Sequence, residues 1–313
     1  MADKKKETLV LIDGHALVFR AFHAFPPLTT SDGELVNAVY GFTRILLKVI
    51  KDLQPKYIAV AFDMGKPTFR HTEFVGYKAQ RKETPSELIS QLGRVQDMVR
   101  ALNIPIFGVE GYEADDVIGT IAETMKNKVK VLIVTGDKDA FQLVQDDKVM
   151  VYMPPRQRED AKEYNEKDVE EKMGIPPSLI VDYKALSGDQ SDNIPGVQGV
   201  GPKTAVTLLK TFGSVDGIYE ALQDPSKLNG EQKTVLKEKL VEKLVNGHDS
   251  ARMSRHLATI DRTVPLSFVL DNCAVSGYDK QKTVELLDKL GFKSLVNLLP
   301  ADEFEKGVQE ALF

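Results

Sequence analysis

Three short apolar runs limit what this chain can fold into more than any other feature. Leu9-Val10-Leu11-Ile12, Tyr57-Ile58-Ala59-Val60-Ala61-Phe62 and Val131-Leu132-Ile133-Val134 are continuously apolar rather than alternating, as strands buried on both faces of a parallel sheet must be. Helical patterns separate them. Val39, Phe42, Ile45, Leu46, Val49 and Ile50 fall at helical spacing over 37–53, and an amphipathic pattern covers 86–102. Strands alternating with helices predict right-handed βαβ units, which align the C-terminal strand ends along one edge. Open α/β sheets hold their ligands there. The predicted fold class is therefore α/β, a mostly parallel central sheet flanked by helices.

Each run ends in acid: Asp13-Gly14 after the first, Asp63 after the second, Thr135-Gly136-Asp137-Lys138-Asp139 after the third. A further β-prone run, Ile104 to Val109, leads into Gly111-Tyr112-Glu113-Ala114-Asp115-Asp116, and the helical pattern Val117, Ile118, Ile121, Ala122, Met125 follows. One acid in a first helical turn simply suits the macrodipole. Three are different, because each raises the cost of ionising the others unless they share a cation. A hard divalent ion with oxygen ligands is the expected occupant. Leu186-Ser187-Gly188-Asp189-Gln190-Ser191-Asp192-Asn193 adds two acids at i, i+3, which share a face if helical and otherwise read as a cap or Asx turn. One cysteine, Cys273, and five histidines fit neither a disulfide framework nor a zinc site. His15 and His23 are expected to be structural.

At 313 residues the chain can bury a sizeable core and is expected to form two domains. The paired prolines of Gly174-Ile175-Pro176-Pro177 mark the boundary, giving an α/β part over 1–173 and a helical part over 174–313. Hydrophobic content of 42% against 28% charged residues is that of an ordinary soluble globular protein. No apolar run approaches the ~20 residues of a spanning helix, so no membrane partner and a cytoplasmic address are expected. The net charge of -5 argues at first against a polyanionic partner. Setting the clustered acids aside turns the balance positive, so local patches decide.

Two stretches have the composition of polyanion binders. After Asp63, Lys66, Arg70, Lys78, Arg81 and Lys82 are interleaved with Phe69, Phe74 and Tyr77. Cations for phosphates and aromatic faces for bases hold single strands without sequence preference. Composition alone is explained as well by a solvated surface loop; the position directly after an acidic strand end favours function. In the second stretch, Ile194-Pro195-Gly196-Val197-Gln198-Gly199-Val200-Gly201-Pro202-Lys203-Thr204-Ala205 leads into a helix. Gly196, Gly199 and Gly201 let backbone amides approach a phosphate, and the helix start at Lys203 and Thr204 adds its positive end. No apolar strand precedes these glycines, which excludes a dinucleotide fingerprint, and the spacing is not that of a Walker loop. A helix-hairpin-helix gripping a nucleic-acid backbone fits better. Farther on, Pro265 to Leu270 reads as a short strand and Thr283 to Leu299 as an amphipathic helical region, both structural.

In this order, Leu11-Ile12-Asp13-Gly14-His15, Ala61-Phe62-Asp63, Phe69-Arg70-His71, Tyr77-Lys78-Ala79-Gln80-Arg81, the Gly111–Asp116 and Thr135–Asp139 motifs, Gly188-Asp189-Gln190-Ser191-Asp192-Asn193 and the Gly196–Ala205 hairpin are individually weak and jointly specific. Over essentially its whole length the chain resembles the 5′-nuclease domains of bacterial DNA polymerase I, in the flap endonuclease family.

The resemblance implies a PIN-like nuclease core with a helical arch at about 65–93, followed by a helix-3-turn-helix region. It implies that Asp13, Asp63, Glu113, Asp115 and Asp116 surround a first catalytic ion and Asp137, Asp139, Asp189 and Asp192 a second, with Mg2+ preferred, Mn2+ able to substitute, and many ligands acting through water. Lys78 and Arg81 would be catalytic cations on the arch, with Arg20 near the scissile phosphate. Arg70, Tyr77 and Lys82 would contact DNA, Tyr77 by stacking on a base. Gly196, Gly199, Gly201, Lys203 and Thr204 would hold downstream duplex, with K+ bridging hairpin carbonyls to a phosphate. The implied activity is hydrolysis of DNA phosphodiesters at 5′ flaps, nicks and gaps and at RNA–DNA primer junctions, in replication and repair. A monomer is expected, and the family leaves room for a polymerase domain C-terminal to this chain. Two rivals remain open: a PIN-type ribonuclease, and a structure-specific DNA-binding module without catalysis.

Overall fold

The computed structural model describes residues 7–155, 159–275 and 277–301. Strand β1 (Thr8–Asp13) is followed by helices α1 (Gly14–Ala24) and α2 (Asn37–Leu53), strand β2 (Tyr57–Ala61), helices α3 (Phe69–Glu73) and α4 (Ser86–Ala101), and strand β3 (Ile106–Phe107). Helix α5 (Ala114–Met125) and strands β4 (Lys130–Val134), β5 (Val149–Met153) and β6 (Lys162–Tyr164) complete the α/β part. The strands form one sheet in the order β3-β2-β1-β4-β5-β6, parallel throughout except for β6. The chain thus winds outward from β1 to β3 and then returns to place β4 on the other side of β1. That reversal puts the C-terminal ends of β1 and β4 at a topological switch point.

The apolar runs are continuous because each sheet face has its own core. Leu9, Leu11, Val131 and Ile133 point to one side with α5 residues Val117, Ile118 and Ile121. Val10, Ile12, Leu132 and Val134 point to the other, where α1, α2, α4 and the later helix α13 (Lys280–Lys289) cover them. Burying each such side chain contributes roughly 1.5–3 kcal/mol relative to leaving it exposed. Gly14 is required where β1 turns into α1. A Cβ there would stand 2.6 Å from the Phe62 ring and 2.8 Å from the Ala61 carbonyl oxygen.

Helix α6 (Glu166–Met173) follows β6 at the end of the α/β part, and the second part is helical: α7 (Ile180–Ser187), α8 (Pro202–Phe212), α9 (Val215–Gln223), α10 (Gly230–Val235), α11 (Glu238–Asn246) and α12 (His248–Ala258). Gly174 ends α6 in the left-handed region at φ 78. Ile180, Leu186, Val197, Leu208 and Leu244 join the core on the α5 side of the sheet, and α7 packs on the 3-10 turn Asp139–Leu143 that follows β4. This docking brings the Asp189–Ile194 segment to the sheet edge.

The structure refines two expectations and overturns a third, the strand over 265–270. The run from Ile104 to Val109 yields only the two-residue edge strand β3, since Pro105 has no amide to give a ladder. Residues 265–270 form no strand; Phe268 packs its ring on Phe107 at 5.3 Å instead. The amphipathic helical region expected over 283–299 is divided: α13 ends at Lys289, and after Gly291 (φ 78) the chain continues as the 3-10 turn Lys293–Leu298. The part of the helical region expected over 302–313 lies outside the described residues. Among the described residues no helix is long and apolar enough to cross a membrane.

Candidate active site

The acids at the strand ends meet at the switch point. Asp13 is 5% exposed. It caps α1 by accepting from the Ala16 amide at 3.0 Å, and it accepts from the Thr135 hydroxyl at 2.7 Å. The same hydroxyl accepts from the Asp137 amide at 3.0 Å, so one threonine ties the ends of β1 and β4 together. Asp63 Oδ1 accepts from the Ala114 amide at 2.6 Å, where the positive end of α5 favours its charge. The Asp63 amide donates to His15 Nδ1 at 3.1 Å, which gives that histidine the structural place expected of it. Asp137 Oδ1 accepts from the Asp139 amide at 2.9 Å.

The electrostatics show how close the group is. Burial, then the charges of Asp63 and Asp137, lift Asp13 to about 6 against the pull of its Ala16 and Thr135 hydrogen bonds. Burial, then Asp13, Asp137, Asp139 and Glu113, push Asp115 well above the usual carboxylate range. Burial lifts Asp139 to about 7 although the Lys184 ammonium opposes it. Carboxylates that hold one another's ionisation up are relieved by a shared cation. All donors are oxygens, which suits a hard divalent cation rather than a softer metal. No three described His, Cys, Asp or Glu side chains already close on one point.

Protein cations reach the same group. Lys184 bridges Asp139 and Asp189, lying 2.6 Å from Asp189 Oδ2, and against the cost of burial its ammonium holds Asp189 down at about 2. Asp189 and Asp192 do not share a helical face. They lie on a turn closed by the reciprocal Asp189–Ile194 amide bonds of 2.9 and 2.8 Å, and Asp189 accepts from the Ser191 amide and hydroxyl at 2.8 and 2.6 Å, so the Asx arrangement prevails. The segment after α3 docks on that turn. Lys78 Nζ lies 2.7 Å from Glu113 Oε1, Arg81 donates to Asp192 Oδ1 at 2.5 Å, and the Asn193 side chain donates to the Gly76 carbonyl at 2.6 Å. Lys78 makes this approach with φ 55.

Several expected positions are placed elsewhere. Asp116 is fully buried and both its oxygens are taken: Arg70 donates to them at 2.8 and 2.7 Å, the Glu113 amide at 3.0 Å and the Asp261 amide at 2.8 Å. With four donors on its two oxygens, Asp116 is already neutralised by protein groups. Arg70 is accordingly no DNA contact. It is 3% exposed and also donates to the Leu257 and Thr259 carbonyls. Tyr77 is buried, its ring offers no open stacking face, and its hydroxyl lies 3.1 Å from both Glu113 and Asp192. Arg20 donates to the carbonyls of Pro154 and Pro155. Lys82 is exposed.

In the glycine hairpin, Gly196 (φ 64) is packed rather than presented. Its amide donates to Ser254 and its carbonyl accepts from Ser250, and a Cβ would sit 2.2 Å from the Gly188 nitrogen. Gly199, Gly201 and Lys203 are exposed and Thr204 is half-buried, with Gly201 capping α8.

Two side chains that contact the acids escaped the sequence reading. Lys184 carried a faint signal, a lysine inside a helix beside the buried Ala185 and Leu186. Thr135 lay inside a motif read only for its acids.

Comparison with known proteins gives a consistent result. A family model described as 5'-3' exonuclease, N-terminal resolvase-like domain matches residues 8–174, and one described as 5'-3' exonuclease, C-terminal SAM fold matches residues 175–281. The chain is 41% identical over 311 residues to DNA polymerase I of Bacillus caldotenax, covering 98% of this chain and 34% of that protein. Against DNA polymerase I of Bacillus subtilis it is 40% identical over 313 residues, covering 100% and 34%. The chain therefore spans about a third of the length of these relatives. Among solved structures, the T5 D15 protein co-crystallized with metal ions superposes with TM-score 0.65 at 20% identity, covering 97% of this chain and 99% of that one. The catalytic core of Rad2 in complex with DNA substrate gives 0.58 at 16%, covering 94% and 93%. These two likenesses show the fold.

Proposed function

Because the chain belongs to the 5′-3′ exonuclease family, we propose that it hydrolyses DNA phosphodiesters at 5′ flaps, nicks and gaps, and at RNA–DNA primer junctions, with two or more divalent ions. The observation that carries this reading is the set of mutually destabilised carboxylates at the switch point, Asp13, Asp115 and Asp139 foremost, with cationic side chains beside it. Asp13, Asp63, Glu113 and Asp115 would hold one ion; Asp137, Asp139, Asp189 and Asp192 would hold another. Mg2+ is the expected metal and Mn2+ its substitute. When bound, the ions supply a water of lowered pKa and neutralise charge on the leaving 3′-oxygen.

The chain's own residues do the rest. Lys78 and Arg81 stand where a scissile phosphate beside the acids would meet them and stabilise its developing charge. Lys184 holds Asp139 and Asp189 in place. Lys82, exposed beyond Arg81, contacts single-stranded substrate, and Arg20 fixes the end of β5 beside the site. The free amides at the start of α8, with Lys203 and Thr204, grip the phosphates of downstream duplex. A potassium ion would use hairpin carbonyls other than that of Gly199, which accepts from Lys243 at 3.1 Å. The protein would act as a monomer. Relatives of about three times this length carry the name DNA polymerase I, and we place a polymerase portion C-terminal to this chain as its working partner, in the cytoplasm where such DNA is found.

A 5′-labelled flap incubated with and without magnesium tests the reading. Products ending in 5′-phosphate and 3′-hydroxyl only with magnesium support it. Cleavage of single-stranded RNA but not of the flap would favour the ribonuclease, and flap binding without turnover the non-catalytic module.

A further inference from the structure

The α10–α11 region carries a charge arrangement that the site does not explain. Helix α11 buries Leu244 and half-buries Leu240 and Val241. Around the rest of its circumference the charges are sorted. Lys239 and Lys243, one turn apart, share one flank, while Glu238 and Glu242 share the next, about 100° away at each step. Among the described residues Lys239 and Lys243 both lack an acidic partner, and both are exposed. Lys227, just before α10, shows the ordinary alternative by pairing with Asp224 at 2.9 Å.

The lysine flank is anchored against the glycine hairpin. Lys243 Nζ donates to the Gly199 carbonyl at 3.1 Å. Gly199 has φ 78, and a Cβ there would lie 2.8 Å from the same ammonium. The glycine therefore serves twice, turning the chain and leaving room for the lysine. On the other side of the hairpin, Lys203 and Lys210 lie two turns apart on the exposed face of α8. One turn of helix rises about 5.4 Å, comparable to the step between neighbouring phosphates along a strand.

We propose that Lys239 and Lys243 form a second phosphate track that continues the glycine hairpin outward along α11 and lengthens the grip on downstream duplex. The contact is with backbone charge, independent of base sequence. The proposal rests on the nuclease reading for the presence of a duplex at the hairpin and adds the residues that set how far along it the protein reaches.

The test uses the full chain, with calcium in place of magnesium, and fluorescence anisotropy on labelled nicked duplexes whose downstream arm is either half a helical turn or two turns long. The wild type binds the long arm more tightly. The Lys239→Gln/Lys243→Gln double variant loses that advantage, and its slope of log affinity against log salt falls by about one for each lysine. Lys239→Gln alone, which leaves the hairpin contact intact, loses about half of it. Lys239→Arg/Lys243→Arg retains it. A double variant with the wild-type slope and arm-length dependence overturns the inference and leaves the nuclease reading standing. A wild type indifferent to arm length overturns the duplex-binding part of that reading as well, and magnesium-dependent cleavage of the flap then reports separately on catalysis.

Discussion

Asp115 and Asp116 are neighbours in the first turn of α5 and carry the same side chain, yet their surroundings are opposite. Asp116 faces a guanidinium and two backbone amides that satisfy it before any ligand arrives. Asp115 faces Asp13, Asp137 and Asp139, whose charges add to burial in raising its carboxyl well above the usual range. One carboxylate is an anchor for α3 and the α12 end, and the other is the one we propose takes a cation. A single residue step around the helix, about 100°, separates structure from chemistry.

The comparison breaks most visibly if the anchor is removed. Arg70→Met strands the Asp116 charge in the interior and is expected to destabilise the fold by about 3–5 kcal/mol, read from denaturant unfolding. Arg70→Met combined with Asp116→Leu is expected to recover much of that loss, because the cost lies in the unpaired charge. A single variant as stable as wild type would show that the pair holds nothing.

Asp115→Asn sharpens the other side. Magnesium-dependent flap cleavage is expected to fall by roughly 10²–10³-fold, the scale of losing one preorganised charge-stabilising group. In EDTA the same variant is expected to melt roughly 2–4 °C higher, since it removes a repelled charge. Loss of activity together with loss of metal-free stability would contradict that assignment.

The pH dependence has a definite sign. Asp13 and Asp139 rise from 3.8 to about 6 and about 7 on folding, so the folded chain binds more protons than the unfolded one between those values. Their contribution to stability is therefore greatest below pH 3.8 and is lost as pH rises toward 7. Asp189, lowered to about 2, loses its contribution only below that window. Melting in EDTA at pH 5 and pH 7.5 should show a smaller decline for Asp139→Asn than for wild type. An equal decline would remove Asp139 from the crowd.

The smallest effect concerns the hydroxyl between the two strand ends. Thr135→Val is expected to cost about 1–2 kcal/mol through the lost hydrogen bond to Asp13 and to weaken manganese binding, measured by titration calorimetry, while Thr135→Ser keeps both. Equal metal affinity in the valine variant would make Thr135 a packing residue only.

Much of this was legible before any coordinates. Strands β1, β2 and β4 announced themselves because burial on both sheet faces demands uninterrupted apolar residues, and α2 and α4 because their periodicity exceeds what chance supplies. The acids stood out because their chemistry is expensive without a cation. The sequence determined where these elements begin and that Asp13, Asp63, Asp115, Asp137 and Asp139 would share an edge, since the parallel crossover rule leaves few alternatives. Only the tertiary structure decided which acid is already neutralised. Arg70 and Asp116 are 46 residues apart, and Tyr77 lies 115 residues from Asp192. No local pattern carries such pairings; they exist once α7, α12 and the segment after α3 pack against the sheet edge, and burial then turns proximity into energy.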